Sequence, residues 1–235
     1  MKNSQRKLAI FLVVTLVGLL LLHLIFRTAS VDNPDYWELA GLFDMDSEIS
    51  LYAWYSTTIL LFVPACLLAY VGYCKKKSGD KLAWTWWVLS AVFMFLSVDD
   101  GAMIHEKLST VNRLIGLQEL LGGGIFAWSW WVIYIPIGVI LAIILSRWFM
   151  SIPLRTRVFF GVGILIAIFG QVGMEAVSSL VTNSSGEYIG PVWRGFQKFV
   201  GRAGLSLILF GIIDYMIINK NMFLLSSSKS VKTDK

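Results

Sequence analysis

One short stretch of the chain combines side chains suited to acid–base or metal chemistry. Residues 95–107 read FLSVDDGAMIHEK, so Asp99, Asp100, His105 and Glu106 fall within eight positions. Carboxylates and imidazole transfer protons near neutral pH and bind divalent metals. The stretch follows the apolar run LAWTWWVLSAVFM. The four side chains are therefore expected where a helix leaves the lipid, and they either do chemistry there or mark the water boundary.

Residues from two later helices are predicted to share this level. At about 1.5 Å per residue, Asp99 lies about 26 Å along its helix from Leu82, and Glu175 about 27 Å from Arg157. Gln171 lies on the face of Glu175, since the two are four positions apart. The candidate catalytic residues are His105, Glu106 and Glu175. The candidate binding residues are Asp99, Asp100, Gln171 and Arg202.

The sequence predicts no metal cofactor at this level. Zinc sites usually combine several His or Cys ligands, and the chain has two histidines, of which His23 lies in the first apolar segment. On a regular helix the side chains of Asp99 and His105 point about 120° apart, so they converge on one atom only if the helix breaks, which Gly101 allows, or if another span supplies ligands, for which Glu175 is the candidate. If a metal does bind, its expected ligands are Asp99, His105, Glu106 and Glu175.

The composition is that of a protein that crosses a membrane several times. Hydrophobic residues make up 57% of the 235 residues and charged residues 15%, whereas soluble domains are about a quarter charged. Segments of roughly 18–25 apolar residues span a hydrocarbon core of about 30 Å. The fold class predicted is all-α, with six transmembrane helices at 8–26, 50–74, 82–99, 125–146, 157–181 and 200–219. The first of them reads as an uncleaved signal anchor.

The distribution of basic residues sets the orientation. Fourteen of the 20 lie in four alternate segments, 2–7, 75–81, 147–157 and 220–235. Basic loops stay in the cytoplasm, so both termini are predicted to be cytoplasmic and the protein to be a multi-pass protein of the cell inner (plasma) membrane. The net charge of +5 then describes a basic inner rim, and no nucleic-acid partner is expected.

The remaining segments extend this picture to a domain plan. Residues 1–222 are predicted to form a single transmembrane domain, and residues 223–235 a flexible cytoplasmic tail. Residues 108–121 have leucines at helical spacing and are predicted to lie on the outer membrane surface as an amphipathic helix. Two further outer segments, 32–48 and 183–199, share this interfacial character.

Three other features are predicted to be structural. The small residues Gly163, Ala167 and Gly170 let two helices pack closely. Acids and a serine before the second span are expected to cap its helix: Asp44, Asp46, Ser47 and Glu48. Asp214, alone in the last span, is expected to pair with Arg147, Arg157 or Lys81. Tryptophans at span ends suit an interfacial belt: Trp84, Trp86, Trp87, Trp128, Trp130 and Trp131.

Four motifs resemble a family of uncharacterised bacterial multi-pass membrane proteins. They are FDMDSEISLYAWYSTTILL, FLSVDDGAMIHEKL, WWVIYIPIGV and IFGQVGMEAVSS, within about residues 42–180. The shared pattern is D-x-D-S-E, S-x-D-[DE]-x4-H-E and G-x-x-G-x-E, and the resemblance implies no known activity. Members of that family carry a further acidic run, E-E-x-x-E-M, in the last span. This chain has VGRAGLSLILF there, which suggests that Arg202 replaces an acid and pairs with Glu175.

Three functions are compatible with these observations. The first is an accessory protein or complex subunit that binds a partner protein, a second copy or lipid through its outer segments and helix surfaces. The second is an outer-leaflet enzyme, a hydrolase or transferase acting on an amphiphile with the acid and histidine cluster. The third is a small transporter with three spans in each half. The expected partners are the lipid bilayer and a membrane protein or a second copy.

Overall fold

The computed structural model of the chain describes residues 3–114, 116, 130–185 and 190–220. In these residues the secondary structure is helical throughout, without strands. The helices are α1 (Asn3–Asp32), α2 (Trp37–Leu42), α3 (Leu51–Lys77), α4 (Ala83–Ala102), α5 (Ile104–Leu114), α6 (Trp130–Ser151), α7 (154–185) and α8 (Pro191–Ile218). The predicted tail (223–235), Trp128 and residues 117–121 of the predicted amphipathic helix lie outside this description.

Five of the described helices are long and apolar enough to cross a membrane: α1, α3, α6, α7 and α8. The sequence predicts six spans, and α4 is the one that falls short. It is 20 residues long and packs along α3. Tryptophans near its start and the pair Asp99 and Asp100 at its end make it less apolar than the others. The described residues thus contain helices and no strands, with five helices suited to crossing a membrane, and the third predicted span is a shorter, more polar helix.

Two predicted helix boundaries are wrong. α8 begins at Pro191 rather than at residue 200, because proline fits the first helical position after Gly190. The carbonyl of Gly190 accepts a hydrogen bond from the backbone N–H of Trp193 at 3.1 Å. Most of the segment 183–199, expected to be interfacial, is therefore helical. α6 ends at Ser151, five residues later than predicted, and Pro153 follows its end.

The predicted close-packing surface is confirmed between α7 and α8. A Cβ added at Gly163 would lie 2.6 Å from Cγ1 of Ile208 and 2.8 Å from the carbonyl oxygen of Gly204. Gly170 meets the backbone of Gly201 in the same way. Such contacts are possible because glycine has no side chain, so the backbones of the two helices can approach each other closely. α8 is the central helix, with 67% of its most apolar stretch buried.

Replacing Gly163 by alanine is expected to lower the free energy of unfolding by about 1–3 kcal/mol, because the added methyl group forces the backbones of α7 and α8 apart. Gly161→Ala is the matched control: it lies on the same helix, and its added Cβ would meet only Cζ of Phe149, at 3.6 Å. Thermal unfolding of both variants in detergent is the measurement. Equal stability of the two variants would contradict close packing at this surface.

The end of the bundle that holds the start of α1 and the end of α8 is fastened by Asp214, which is fully buried. Its carboxylate pairs with Arg155, with Nε 2.9 Å from Oδ2 and Nη2 2.9 Å from Oδ1. Gln5 of α1 also donates to Oδ1. The prediction that Asp214 pairs with Arg147, Arg157 or Lys81 is therefore wrong, because Arg157 instead donates to backbone carbonyls at the end of α6. Three helices meet at this one carboxylate.

A group of aromatic side chains packs at the same end of the bundle as Asp214. Trp86 is 2% exposed and contacts the rings of Trp148 and Tyr215, with both centroid distances 4.9 Å. Its predicted place in an interfacial belt is wrong, since it faces α6 and α8. Trp84 and Trp87 on the same helix are about half exposed, as a belt requires.

Candidate functional site

A sharp break after α4 brings the predicted acid and histidine stretch together. α4 ends at Ala102, and Met103 takes a left-handed conformation with φ 54° and ψ 39° before α5 begins. The break therefore lies at Met103 rather than at Gly101, which stays helical. It turns His105 back toward Asp99, whose Oδ1 accepts a hydrogen bond from the His105 backbone N–H at 2.8 Å. The His105 Nδ1 lies 3.3 Å from Asp99 Oδ2.

The charge state of His105 is set by these neighbours. Burial of the ring opposes its charged form, but the hydrogen bond and negative charge of Asp99 outweigh this and raise the pKa of His105. Lys198 opposes that rise and Glu48 supports it. The imidazole ring also contacts Trp130, at a centroid distance of 5.5 Å. His105 is thus held as the cationic partner of Asp99 over a wider pH range than an isolated histidine.

Asp100 is the centre of a buried polar cluster. Its Oδ1 lies 2.7 Å from Nη2 of Arg202, and its Oδ2 accepts hydrogen bonds from Ser56 at 2.7 Å and Thr57 at 3.0 Å. Asp100 and Arg202 are 8% and 4% exposed. The guanidinium of Arg202 also lies 6.0 Å from the ring centre of Tyr52. Asp100 therefore joins this stretch to Arg202 of α8.

Two widened helical turns flank α8 at the level of Arg202. One is the π-helical part of α3, Tyr55–Phe62, which carries Ser56 and Thr57. The other is the π-helical part of α7, Phe169–Gly173, which carries Gln171. A Cβ added at Gly201 would lie 3.0 Å from Nε2 of Gln171, so this predicted binding residue packs against α8. Insertions of this kind often mark functional positions in helices.

Two acids in the loop before α3 bind α8 rather than capping their own helix. Asp46 lies 3.3 Å from Arg194, and Glu48 lies 2.8 Å from Lys198. The cap of α3 is Ser50, whose hydroxyl accepts from the backbone N–H of Ala53 at 3.1 Å. The capping prediction for the acids is therefore wrong, because their side chains reach across the bundle to a basic face of α8.

Glu175 lies near this cluster but outside the Asp100–Arg202 pair. Its Oε1 accepts a 3.4 Å hydrogen bond from the indole N–H of Trp130. The expectation that Arg202 pairs with Glu175 is wrong, since Asp100 takes the guanidinium. On the next helical turn Ser178 accepts a hydrogen bond from the indole of Trp193 at 2.9 Å. Glu175 thus helps to hold α6 against α7.

Three residues place possible metal ligands close together. Glu48, His105 and Glu106 each offer a ligand atom, and these atoms all lie within 4.8 Å of one another. Such a set suits a divalent transition metal, and Asp99 would orient the imidazole as a carboxylate partner. Two of these three residues, His105 and Glu106, are among the metal ligands expected from the sequence. The third is Glu48, whereas the other two expected ligands, Asp99 and Glu175, are not in this group. Nothing in the sequence relates residue 48 to residue 105.

Sequence reasoning also missed the role of His23, which is 1% exposed. Its Nδ1 accepts a hydrogen bond from the backbone N–H of Met45 at 3.2 Å, and Oδ1 of Asp44 lies 3.5 Å away. A Cβ added at Gly195 would lie 2.6 Å from its Nε2. His23 therefore fastens the acidic loop and the start of α8 to α1. A lone histidine inside an apolar segment was the available signal.

These features define a class: an all-helical membrane protein with a charge-paired polar cluster at one end of its helices. The chain belongs to the family described as Domain of unknown function (DUF8692), which matches residues 8–200. No curated protein and no solved structure is significantly similar to it. The matched region contains the acids and His105, and Arg202 lies just beyond it.

Proposed function

We propose that the chain is a six-span protein of the plasma membrane with both termini in the cytoplasm. Two observations support the sixth span: α4 is long enough to cross most of the hydrocarbon core, and it packs along the apolar helix α3. The basic residues cluster at the helix ends opposite the site described above. The end of the bundle that carries these basic residues is the one expected to face the cytoplasm.

Within this membrane topology, the function we propose is that of an accessory protein or complex subunit. The observation that carries it is the pairing of the outer-end acids within the fold. Asp46, Glu48 and Asp100 pair with Arg194, Lys198 and Arg202, three basic residues of one helix. A carboxylate that acts as a general acid or base must lie within hydrogen-bond reach of the proton that it transfers. Here the acids instead join two parts of the fold to α8: the loop before α3, through Asp46 and Glu48, and α4, through Asp100.

The surface proposed for the partner is the lipid-facing side of α6. Only 11% of the most apolar stretch of α6 is buried, against 67% for α8. Ile140 and Ile143 are more than half exposed. A Cβ added at Gly138 meets nothing within 4 Å, so a partner helix could approach the backbone closely there. The occupant proposed is a transmembrane helix of another protein.

A photo-crosslinking amino acid at Ile143 is expected to trap one discrete protein adduct in native membranes. The matched control is Val13 on α1, which is 60% exposed, against 68% for Ile143. It should give no discrete protein adduct. The mass of the adduct distinguishes a different subunit from a second copy of this chain. If both positions react with lipid alone, α6 does not bind a partner and the accessory role is refuted.

The second candidate is an enzyme acting at the outer leaflet. It is favoured by one observation, the proximity of Glu48, His105 and Glu106. In that function the three side chains would hold a metal ion that activates water, and an amphiphile would approach from the membrane surface. Elemental analysis of the purified protein separates the two functions. Stoichiometric metal that is lost on His105→Ala supports the enzyme, and a metal-free stable protein supports the subunit.

A further inference from the structure

A cavity of about 300 Å³ lies at the basic end of the bundle, away from the charge-paired cluster. It opens where the inner ends of α3, α4, α6 and α8 meet. Its lining includes Lys75, Trp86, Trp148, Ser151, Tyr215 and Asn219. A cavity with both aromatic and polar walls can hold a ligand that is part apolar and part charged.

The aromatic wall of this cavity is rigid. The rings of Trp148 and Tyr215 contact Trp86 at centroid distances of 4.9 Å, and all three residues are at most 3% exposed. Each ring is therefore fixed by packing before any ligand arrives. The ring edges that border the cavity suit the part of a lipid between its headgroup and its acyl chains, since such rings favour the boundary between hydrocarbon and water.

The charged wall is formed by Lys75. Its Nζ lies 3.2 Å from Oδ2 of Asp80 and 5.9 Å from the ring centre of Tyr215. Asp80 is itself held in place, because its Oδ1 accepts a hydrogen bond from the backbone N–H of Leu82 at 2.8 Å. An ammonium group carries three N–H donors, and the Asp80 carboxylate and the Tyr215 hydroxyl take two of them. Lys75 can thus contact an anion without leaving Asp80.

The surrounding charge selects an anion over a cation. Ten basic residues in the described part of the chain lie at this end, against two acids, Asp80 and Asp214. The exposed tryptophans Trp84 and Trp87 on the adjoining helix place the bilayer boundary beside the cavity. Basic cavities between helices at such a boundary bind phospholipid headgroups.

We infer that this cavity binds an anionic phospholipid, with its phosphate against Lys75 and its glycerol over Trp86, Trp148 and Tyr215. The side-chain amide of Asn219 donates one hydrogen to the carbonyl of Tyr215. Its other amide hydrogen is a second donor at the rim of the cavity. The inference concerns the opposite end of the bundle from the acid pairs and needs no partner on α6. It therefore stands apart from the proposed subunit function.

The test is thermal unfolding of the full chain in detergent with added lipid. Phosphatidylglycerol is expected to raise the unfolding temperature by about 5 °C at saturation, because it binds only the folded chain. Phosphatidylcholine and soluble glycerol 3-phosphate should each raise it by less than half as much. An equal effect of phosphatidylcholine would overturn the inference by showing that headgroup charge is not recognised. An equal effect of glycerol 3-phosphate would show that the cavity binds a soluble phosphate, and would overturn the inference that it binds a lipid.

Three variants locate the effect. Lys75→Met combined with Asp80→Asn removes the cation without leaving an unpaired acid, and Ser151→Phe fills the cavity with every charge kept. Both should lose the response to phosphatidylglycerol. Lys76→Met, which removes an exposed neighbouring charge, should keep it. An undiminished response in Ser151→Phe would place the lipid elsewhere, even if the double variant does not fold. Equal losses in all three variants would show non-specific attraction to the basic end, against the inference.

Discussion

Replacing Arg202 by methionine is expected to lower the free energy of unfolding by about 3–5 kcal/mol, because it leaves Asp100 buried without its cation. Ser56 and Thr57 would still donate to the carboxylate, but neutral hydroxyl groups cannot balance its charge. Unfolding of the purified protein in detergent, followed by heat or by titration with a denaturing detergent, is the measurement.

The double variant Arg202→Met, Asp100→Leu serves as the internal control. It is expected to recover most of the lost stability, since apolar residues often replace a buried ion pair without loss. The Nε of Arg202 and the hydroxyl of Tyr52 have no hydrogen-bond partner in the described structure, so the native cluster is itself incompletely satisfied. Arg194→Met tests a more exposed pair and should change stability by at most about 1 kcal/mol. Equal losses in the single and double variants would contradict the pairing.

At the opposite end of the bundle, replacing Arg155 by methionine is expected to cost far more stability than replacing its partner Asp214. The side chain of Arg155 is 47% exposed, whereas that of Asp214 is 0% exposed. Loss of the arginine leaves a buried carboxylate with Gln5 as its remaining partner, at about 3–5 kcal/mol. In Asp214→Leu, Arg155 can turn toward water, so the expected cost is about 1 kcal/mol or less.

The order of the two effects is the informative result. Thermal unfolding of Arg155→Met, Asp214→Leu and the double variant in the same detergent measures it. The double variant should resemble Asp214→Leu, because it no longer contains the unpaired acid. A larger loss for Asp214→Leu than for Arg155→Met would mean that the carboxylate stabilises the bundle through Gln5 and α1 rather than through Arg155.

The depth of the polar groups could be predicted from the sequence, but their partners could not. The constant rise per residue places Asp100 and Arg202 at one level, and small-residue spacing identifies Gly163 and Gly170 as contact positions. The choice of Arg155 over Arg157 depends on the rotation of α7 about its own axis, which hydropathy does not encode. For the same reason nothing in the sequence connects Glu48 with Lys198.

The break after α4 lies at Met103, two residues beyond Gly101, the position at which the sequence would allow one. Glycine is the residue expected at a left-handed turn, and Gly101 is the nearest one. The structure instead puts Met103 there, a conformation that few residues other than glycine adopt. The hydrogen bond from the backbone of His105 to Asp99 accompanies this turn. Local preference is overridden by a contact six residues apart, which residue-by-residue propensities do not include.

The concentration of partner charges on α8 has a consequence for how the protein is made. Arg194, Lys198, Arg202 and Asp214 all belong to α8, which follows the other described helices in the chain, and the contact between Gln5 and Asp214 joins residues 209 positions apart. Until α8 enters the bilayer, Asp100 and Arg155 in the earlier helices lack their counter-charges. These charge pairs therefore form only after α8 has been made. A chain truncated before α8 presents Asp100 and Arg155 without their partner charges.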